Sequence, residues 1–479
     1  MSLREARSSI FRRLANPGSF EWTEAIFLRL LGLIYLTAFG SLWPQIVGLV
    51  GSHGIAPAIQ VMTAMRAELG VGAILYVPTL FWLGMSDTAL VWFCILGCIA
   101  ALFLVAGFFS RSAAAVCFAL YLSLASIGQP FTLFQWDALL LEAGFLAVFA
   151  GAPWLVWAYR FLLFRLMFES GAVKLLSHDP NWRDFHAVRF HFMTQPLPNP
   201  IAYYAYRAPI WMLDAMTAAT LAIELGAPML LFCPRRLRHL GAGLLMLLQL
   251  LILLTGNYAF FNLLSLALCL WAFDDSTFAP LKRFLRMRIH PIAILRPFLN
   301  GILVVLMAIG ATQLIGMFEA GFDRPVQTVL SFISPFQIVN TYGLFAVMTT
   351  TRPEIVMEGS DDQVSWKEYS FRYKPGELHR SLPLIAPYQP RLDWQMWFAA
   401  LGSVQENGWV QGLMYRLLLG EPSVIGLMDS SPFEKPPRYM RALLYDYQFT
   451  TPDERARTGA IWRRQLRGTW LGPVSLNHQ

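Results

Sequence analysis

Residues 88–109 and 297–318 carry no charged side chain, and each run is long enough to cross the roughly 30 Å hydrocarbon core of a bilayer as a helix. Beyond about residue 320 no such run recurs, and charges of both signs are mixed throughout. The expected fold class is therefore a polytopic α-helical membrane protein carrying a C-terminal extramembrane α+β domain. Composition agrees: only 14% of the 479 residues are charged and mean hydropathy is +0.48, far too apolar for an ordinary soluble chain.

Plausible spans fall at 26–50, 88–109, 112–127, 134–150, 154–176, 208–232, 240–256, 258–273 and 297–318, giving about nine transmembrane helices. Residues 75–83 are too short to span and read as an interfacial or re-entrant piece. The formal charge of +7 is gathered in short segments between apolar runs: Arg4, Arg7, Arg12 and Arg13; Arg235, Arg236 and Arg238; Lys282, Arg283, Arg286 and Arg288. Such clusters report topology rather than a phosphate-binding stripe, so membrane lipids are expected partners and nucleic acid is not. With a cytosolic N-terminus (1–25), stepping through the spans puts Arg111 and the two later clusters in the cytosol. The loop 177–207 and everything after the bundle (26–318) then face outward. The C-terminal domain (319–479) would be periplasmic in a bacterial inner membrane, or lumenal in an endoplasmic reticulum membrane.

That domain opens with β-leaning segments at 342–350, 354–358 and 364–373, which read as a small antiparallel β meander. Helical patterns follow at 392–401 and 409–418, where Trp409, Leu413 and Leu417 share a face. The five cysteines (Cys94, Cys98, Cys117, Cys233 and Cys269) all lie in or beside apolar runs, so no disulfide framework holds the outward domain.

Ionisable residues inside spans are costly and are functional suspects by default. Asp137, Glu142, Arg165, Glu169, Lys174 and Glu224 form the candidate intramembrane polar network. Asp137 and Glu142 are five apart and share no helix face; Arg165 and Glu169 are one turn apart and can neutralise each other. The set reads either as ion pairs fixing helix packing or as a polar cavity in which Lys174 serves as a base or anion anchor. Asp214 shares a span with Glu224, and sequence names no partner for either. His178, His186 and His191 lack the one-turn spacing of a helical zinc pair, so no metal is expected. No nucleophile elbow, Walker loop or dinucleotide fingerprint is present, which disfavours hydrolase, ATPase and Rossmann dehydrogenase chemistry. In the outward domain, Trp394, Trp397 and Phe398 fall at helical spacing beside Arg391 and Asp393. They read as an aromatic stripe packed on the meander, or as an exposed apolar patch that binds clients; Arg391 and Asp393 could pair or cap the helix.

Several long blocks resemble the lipase maturation factor family: GLIYLTAFGSLWPQIVGLVGSHGIAPA, QWDALLLEAGFLA, RFLLFRLMFESGAVKL, TQPLPNP, LTGNYAFFNLL, IVNTYGLFAVMTTTRPEIVMEGS and PRLDWQMWFAALG, in order from residue 32 to 402. The resemblance implies a multispanning factor that helps secreted lipases fold and assemble, with a client-binding C-terminal domain and no cofactor. Tyr388 stands where the family pattern has a histidine. A shorter stretch, SGAVKL followed by NWR, resembles vitamin K-dependent carboxylase-like membrane proteins. That second resemblance implies a membrane enzyme with a lipid-soluble cofactor and Lys174 as base.

Overall fold

The computed structural model describes residues 19–278, 296–319 and 321–476. The basic clusters at 4–13 and 282–288 lie outside these residues. The membrane part is built from α1 (Glu21–Leu42), a short α2 (Ile46–Val50), α3 (Ala58–Leu69), α4 (Asp87–Ala106), α5 (Ser110–Ile127), α6 (Gln135–Ala147), α7 (Leu155–Leu176), α8 (Ala187–Thr194), α9 (Ile210–Gly226), α10 (Arg235–Thr255), α11 (Phe261–Cys269) and α12 (Arg296–Gly316). Local chemistry sets the ends. Ser86 caps α4 by accepting from Ala89 N–H at 3.1 Å, and Gly107 ends it in the left-handed region at φ 77°. α1 and α4 approach closely because Gly97 lies under the Phe39 ring, where a Cβ would overlap it.

Seven described helical stretches are long and apolar enough to cross a membrane. Six match expected spans. The seventh, Ala58–Tyr76, begins well before the short piece expected at 75–83. The remaining expected spans are also helical, but α6 and Phe261–Ala272 are short, and α7 carries Arg160, Arg165, Glu169 and Lys174.

Hydrogen bonds sort the connections onto two opposite ends. At one end Thr23 Oγ1 donates to Phe273 O (2.6 Å), Gly151 N to Glu24 Oε1 (2.6 Å) and Arg111 Nε to Ala150 O (2.7 Å). Arg238 Nε joins the same end by donating to Ala272 O at 2.7 Å. At the other end Gln45 Nε2 donates to Gln389 O (2.8 Å) and Asn257 Nδ2 to Pro383 O (2.9 Å). Arg352 Nη1 there donates to Met193 O at 2.8 Å. The alternation demanded by the basic residues is thus present: Arg111 and Arg238 lie at the end opposite the 177–207 segment and the C-terminal module.

The module differs from a sequential meander. Its main sheet has the order β2-β1-β5-β6, antiparallel throughout: β1 (Pro353–Ser360), β2 (Lys367–Glu368), β5 (Tyr439–Phe449) and β6 (Trp462–Val474). β3 (Ser370–Phe371) and β4 (Met428–Ser430) form a separate pair. The C-terminal hairpin of β5 and β6 supplies the longest strands, and the residues before β1 form no strand: Tyr342 is buried against the bundle instead. All eight residues of β1 are buried, as in a strand covered on both faces. Its two glutamates are therefore paired, Glu354 with Arg352 and Lys374 (2.8 Å each) and Glu358 with Arg441 (2.6 Å). Between bundle and sheet lie α14 (Arg391–Leu401) and α15 (Trp409–Leu419), with α13 (Arg324–Ile333) between α12 and the module.

Candidate functional site at the bundle–module junction

The six residues of the candidate intramembrane network fall in three clusters, and each contains a partner from another helix or from the module. The first is Asp137 with Arg391, both side chains fully buried. Asp137 sits in the first turn of α6, where its carboxylate accepts the Phe134 N–H at 3.1 Å and suits the positive helix end. Arg391 opens α14 and donates to both Asp137 oxygens (2.9 and 3.1 Å), to Phe131 O (2.8 Å) and to the Tyr121 hydroxyl (3.0 Å). Burial alone would lower the guanidinium, but the Asp137 carboxylate holds it above its ordinary value. Asp393, two residues on, points elsewhere and accepts the N–H groups of Tyr373 (2.8 Å) and Lys374 (2.9 Å); burial pushes it up against those bonds. The two neither pair with each other nor cap their own helix.

The second cluster corrects a predicted pair. Arg165 binds Glu142 of α6, not Glu169. Glu142 also accepts from the Tyr342 hydroxyl (2.8 Å) and from Asn340 N–H (2.9 Å). Glu169 accepts Tyr342 N–H at 2.7 Å. A loop of the module is thus held by two carboxylates from two bundle helices.

In the third, Lys174 of α7 meets Glu224 of α9: Nζ donates to Oε2 (2.7 Å), Oε1 (2.9 Å) and Ser170 O (3.0 Å). Three oxygens thus occupy the hydrogen-bonding directions of Nζ. The pair lines a largely apolar cavity of about 210 Å³ rather than a polar one. Asp214 lies apart, bound to Arg189 at 2.6 Å through both oxygens.

Trp394 and Trp397 are buried at this junction. Trp394 meets Trp136 edge-on at 4.6 Å and Tyr258 at 5.8 Å; Trp397 Nε1 donates to Thr194 O at 2.9 Å. The stripe packs on the bundle as well as on β1 and presents no exposed patch for clients at either indole. Phe398 alone is exposed, at 41%, with its ring stacked on Phe134. Tyr388 faces Tyr373 at 5.8 Å, and burial pushes its phenol up to about 12. Among the described residues, no group of three or more His, Cys, Asp or Glu side chains is arranged to hold a metal.

Sequence reasoning missed Tyr121, Asn340, Tyr342 and Arg352. The signal for the tyrosines was their position: a phenol deep in an apolar segment must find a polar partner.

The two halves of this junction match family models separately. Residues 22–280 match the lipase maturation factor transmembrane domain, and residues 338–472 match the lipase maturation factor C-terminal domain. The chain belongs to the lipase maturation factor family. It is 33% identical to lipase maturation factor 1 of Mus musculus, across 96% of this chain and 88% of the relative. The corresponding protein of Bos taurus is 33% identical, with 96% and 90% covered. Lipase maturation factor 2 of Gallus gallus is 34% identical, with 94% and 81% covered. No solved structure matches. Membership joins both halves to one family role, and the Asp137–Arg391 pair joins them physically.

Proposed function

We propose that this lipase maturation factor-like protein assists the folding or assembly of translocated clients, with secreted lipases as the client class. The observation that carries this reading is the family match across both halves of a chain whose bundle and module are held together by buried ion pairs. A factor of this kind presents a rigid platform at the membrane surface, and the Asp137–Arg391 and Glu142–Arg165–Tyr342 contacts provide that rigidity. In this reading the module faces the periplasm or an endoplasmic reticulum lumen, because the positive-inside rule places the Arg111 and Arg238 end in the cytosol. Client contact falls on exposed parts of the module rather than on Trp394 or Trp397.

A membrane enzyme using Lys174 as base is the competing reading, and the full engagement of Nζ weighs against it. The test is secreted lipase activity per unit of lipase antigen. Cells lacking the protein are compared with cells carrying wild type or the neutral pair Lys174→Met/Glu224→Gln. The proposal expects loss without the protein and restoration by both versions. Restoration by wild type alone, with the double variant inserted and folded, would favour Lys174 chemistry. Unchanged specific activity in every strain would remove lipases from the client class.

A further inference from the structure

The cavity beside Lys174 has one property the maturation reading does not use. Its lining includes Ala219 of α9 and Leu251 of α10, both exposed on the outer surface of helices long enough to span the bilayer. The cavity therefore reaches the outer surface of two helices long and apolar enough to span, and a guest from the hydrocarbon can approach it at Ala219 and Leu251. A volume of about 210 Å³ exceeds the roughly 150 Å³ of an engineered apolar cavity that takes up benzene. The walls suit an alkyl chain.

The polar end can be read atom by atom. Gln195 Nε2 donates to Thr255 O (2.8 Å) and Phe192 O (3.3 Å), which fixes its Oε1 as an acceptor. The Tyr258 hydroxyl sits 2.9 Å from that oxygen and so gives it its proton. The contact between Tyr258 and His191 Nε2 at 3.1 Å must then run from Nε2–H to the phenol oxygen. Burial first, and the charge of Lys174 second, push His191 down to about 4, so its ring is neutral at ordinary pH. A neutral imidazole with its proton on Nε2 has an acceptor at Nδ1, and no protein donor reaches that atom among the described residues.

The other polar groups are engaged. Lys174 and Glu224 satisfy each other. Thr220, Ser170 and Thr255 donate to carbonyls of their own helices. Gln249 accepts from Asn262 at 2.8 Å. His191 Nδ1 is thus an acceptor without a protein partner among the described residues, on a residue lining a mostly apolar pocket, and it suits a guest that brings a donor.

We propose that this cavity binds a neutral lipid bearing a free hydroxyl, its alkyl chain lying between α9 and α10 and its hydroxyl donating to His191 Nδ1. A carboxylate cannot donate that bond, and a charged headgroup has no free counter-charge here.

The test uses the full chain in nanodiscs and a long-chain alcohol carrying a photoreactive diazirine. A matched methyl ether, which lacks the donor, is the comparison. The alcohol should label peptides spanning 216–224 and 248–255 roughly three- to tenfold more than the ether, the worth of one net hydrogen bond. His191→Phe should bring the alcohol down to the ether's level. Ala219→Trp, which blocks the mouth from the lipid side, should suppress labelling by both. Equal labelling of wild type by alcohol and ether would overturn the assignment, and that comparison needs no variant. Labelling that survives Ala219→Trp would overturn the site.

Discussion

Replacing Arg391 by methionine removes the cation paired with Asp137, while keeping side-chain volume and helix propensity close to native. Asp137 retains the Phe134 N–H and the Tyr121 hydroxyl, but its charge stays fully buried. Breaking a buried pair from one side costs about 3–5 kcal/mol, because the surviving charge is desolvated without compensation. Asp137→Asn should cost a similar amount, since it strands the guanidinium instead. The double variant Asp137→Asn/Arg391→Met leaves no charge and should cost much less than the sum of the two. A coupling of about 2 kcal/mol or more is expected, roughly 30-fold in the folded-to-unfolded ratio. The assay is denaturant unfolding of the four proteins in nanodiscs, read by fluorescence from tryptophans that include the junction pair Trp136 and Trp394. Arg391→Lys should rescue only partly, because one ammonium cannot reproduce the fork that reaches Asp137, Phe131 O and Tyr121 together. If the single costs add to within about 0.5 kcal/mol of the double, the pair does not hold module to bundle and the reasoning fails.

Three other outcomes follow from the same geometry. Trp394→Ala should destabilise by about 3–5 kcal/mol in that unfolding assay, because the indole is 2% exposed and packs on Trp136 and Tyr258; a cost under about 1 kcal/mol would mean that the junction is looser than it looks. Tyr342→Phe should cost about 1.5–3 kcal/mol by removing the hydroxyl that donates to Glu142, and Tyr342→Ala more; a negligible cost for Tyr342→Phe would show that this hydrogen bond contributes nothing. Stability should fall with acid through His191: its folded value of about 4 lies below the ordinary 6.5, so the unfolded chain takes the proton first. That contribution is complete above pH 6.5 and is lost as pH falls toward 4, on the order of 3 kcal/mol in all. In His191→Phe the slope over that window should flatten, and an unchanged slope would assign it to other groups.

The topology was legible because lipid imposes it. Apolar runs must be helical, and Arg111 and Arg238 mark one end through chemistry that acts on each residue separately. Partners were not legible, because a buried charge is satisfied in three dimensions. Arg165 has Glu169 one turn away, yet the closer fit is Glu142 on another helix, and Glu169 receives a backbone N–H from Tyr342. Sequence spacing could have excluded one pairing: Arg391 and Asp393 are two apart on a helix, and such residues do not face each other. They had to look in different directions, and they do, one into the bundle at Asp137 and the other into its own module at Tyr373 and Lys374. The same logic explains the misread sheet. Residues 342–350 have strand-like composition, but Tyr342 is committed to Glu142, so β1 takes β5 as its long neighbour instead. Where a segment's polar and aromatic groups answer to the bundle, its local pattern no longer predicts its form. A charge within a span of this chain is therefore to be paired first with other helices and with the module, and only then with its own helix.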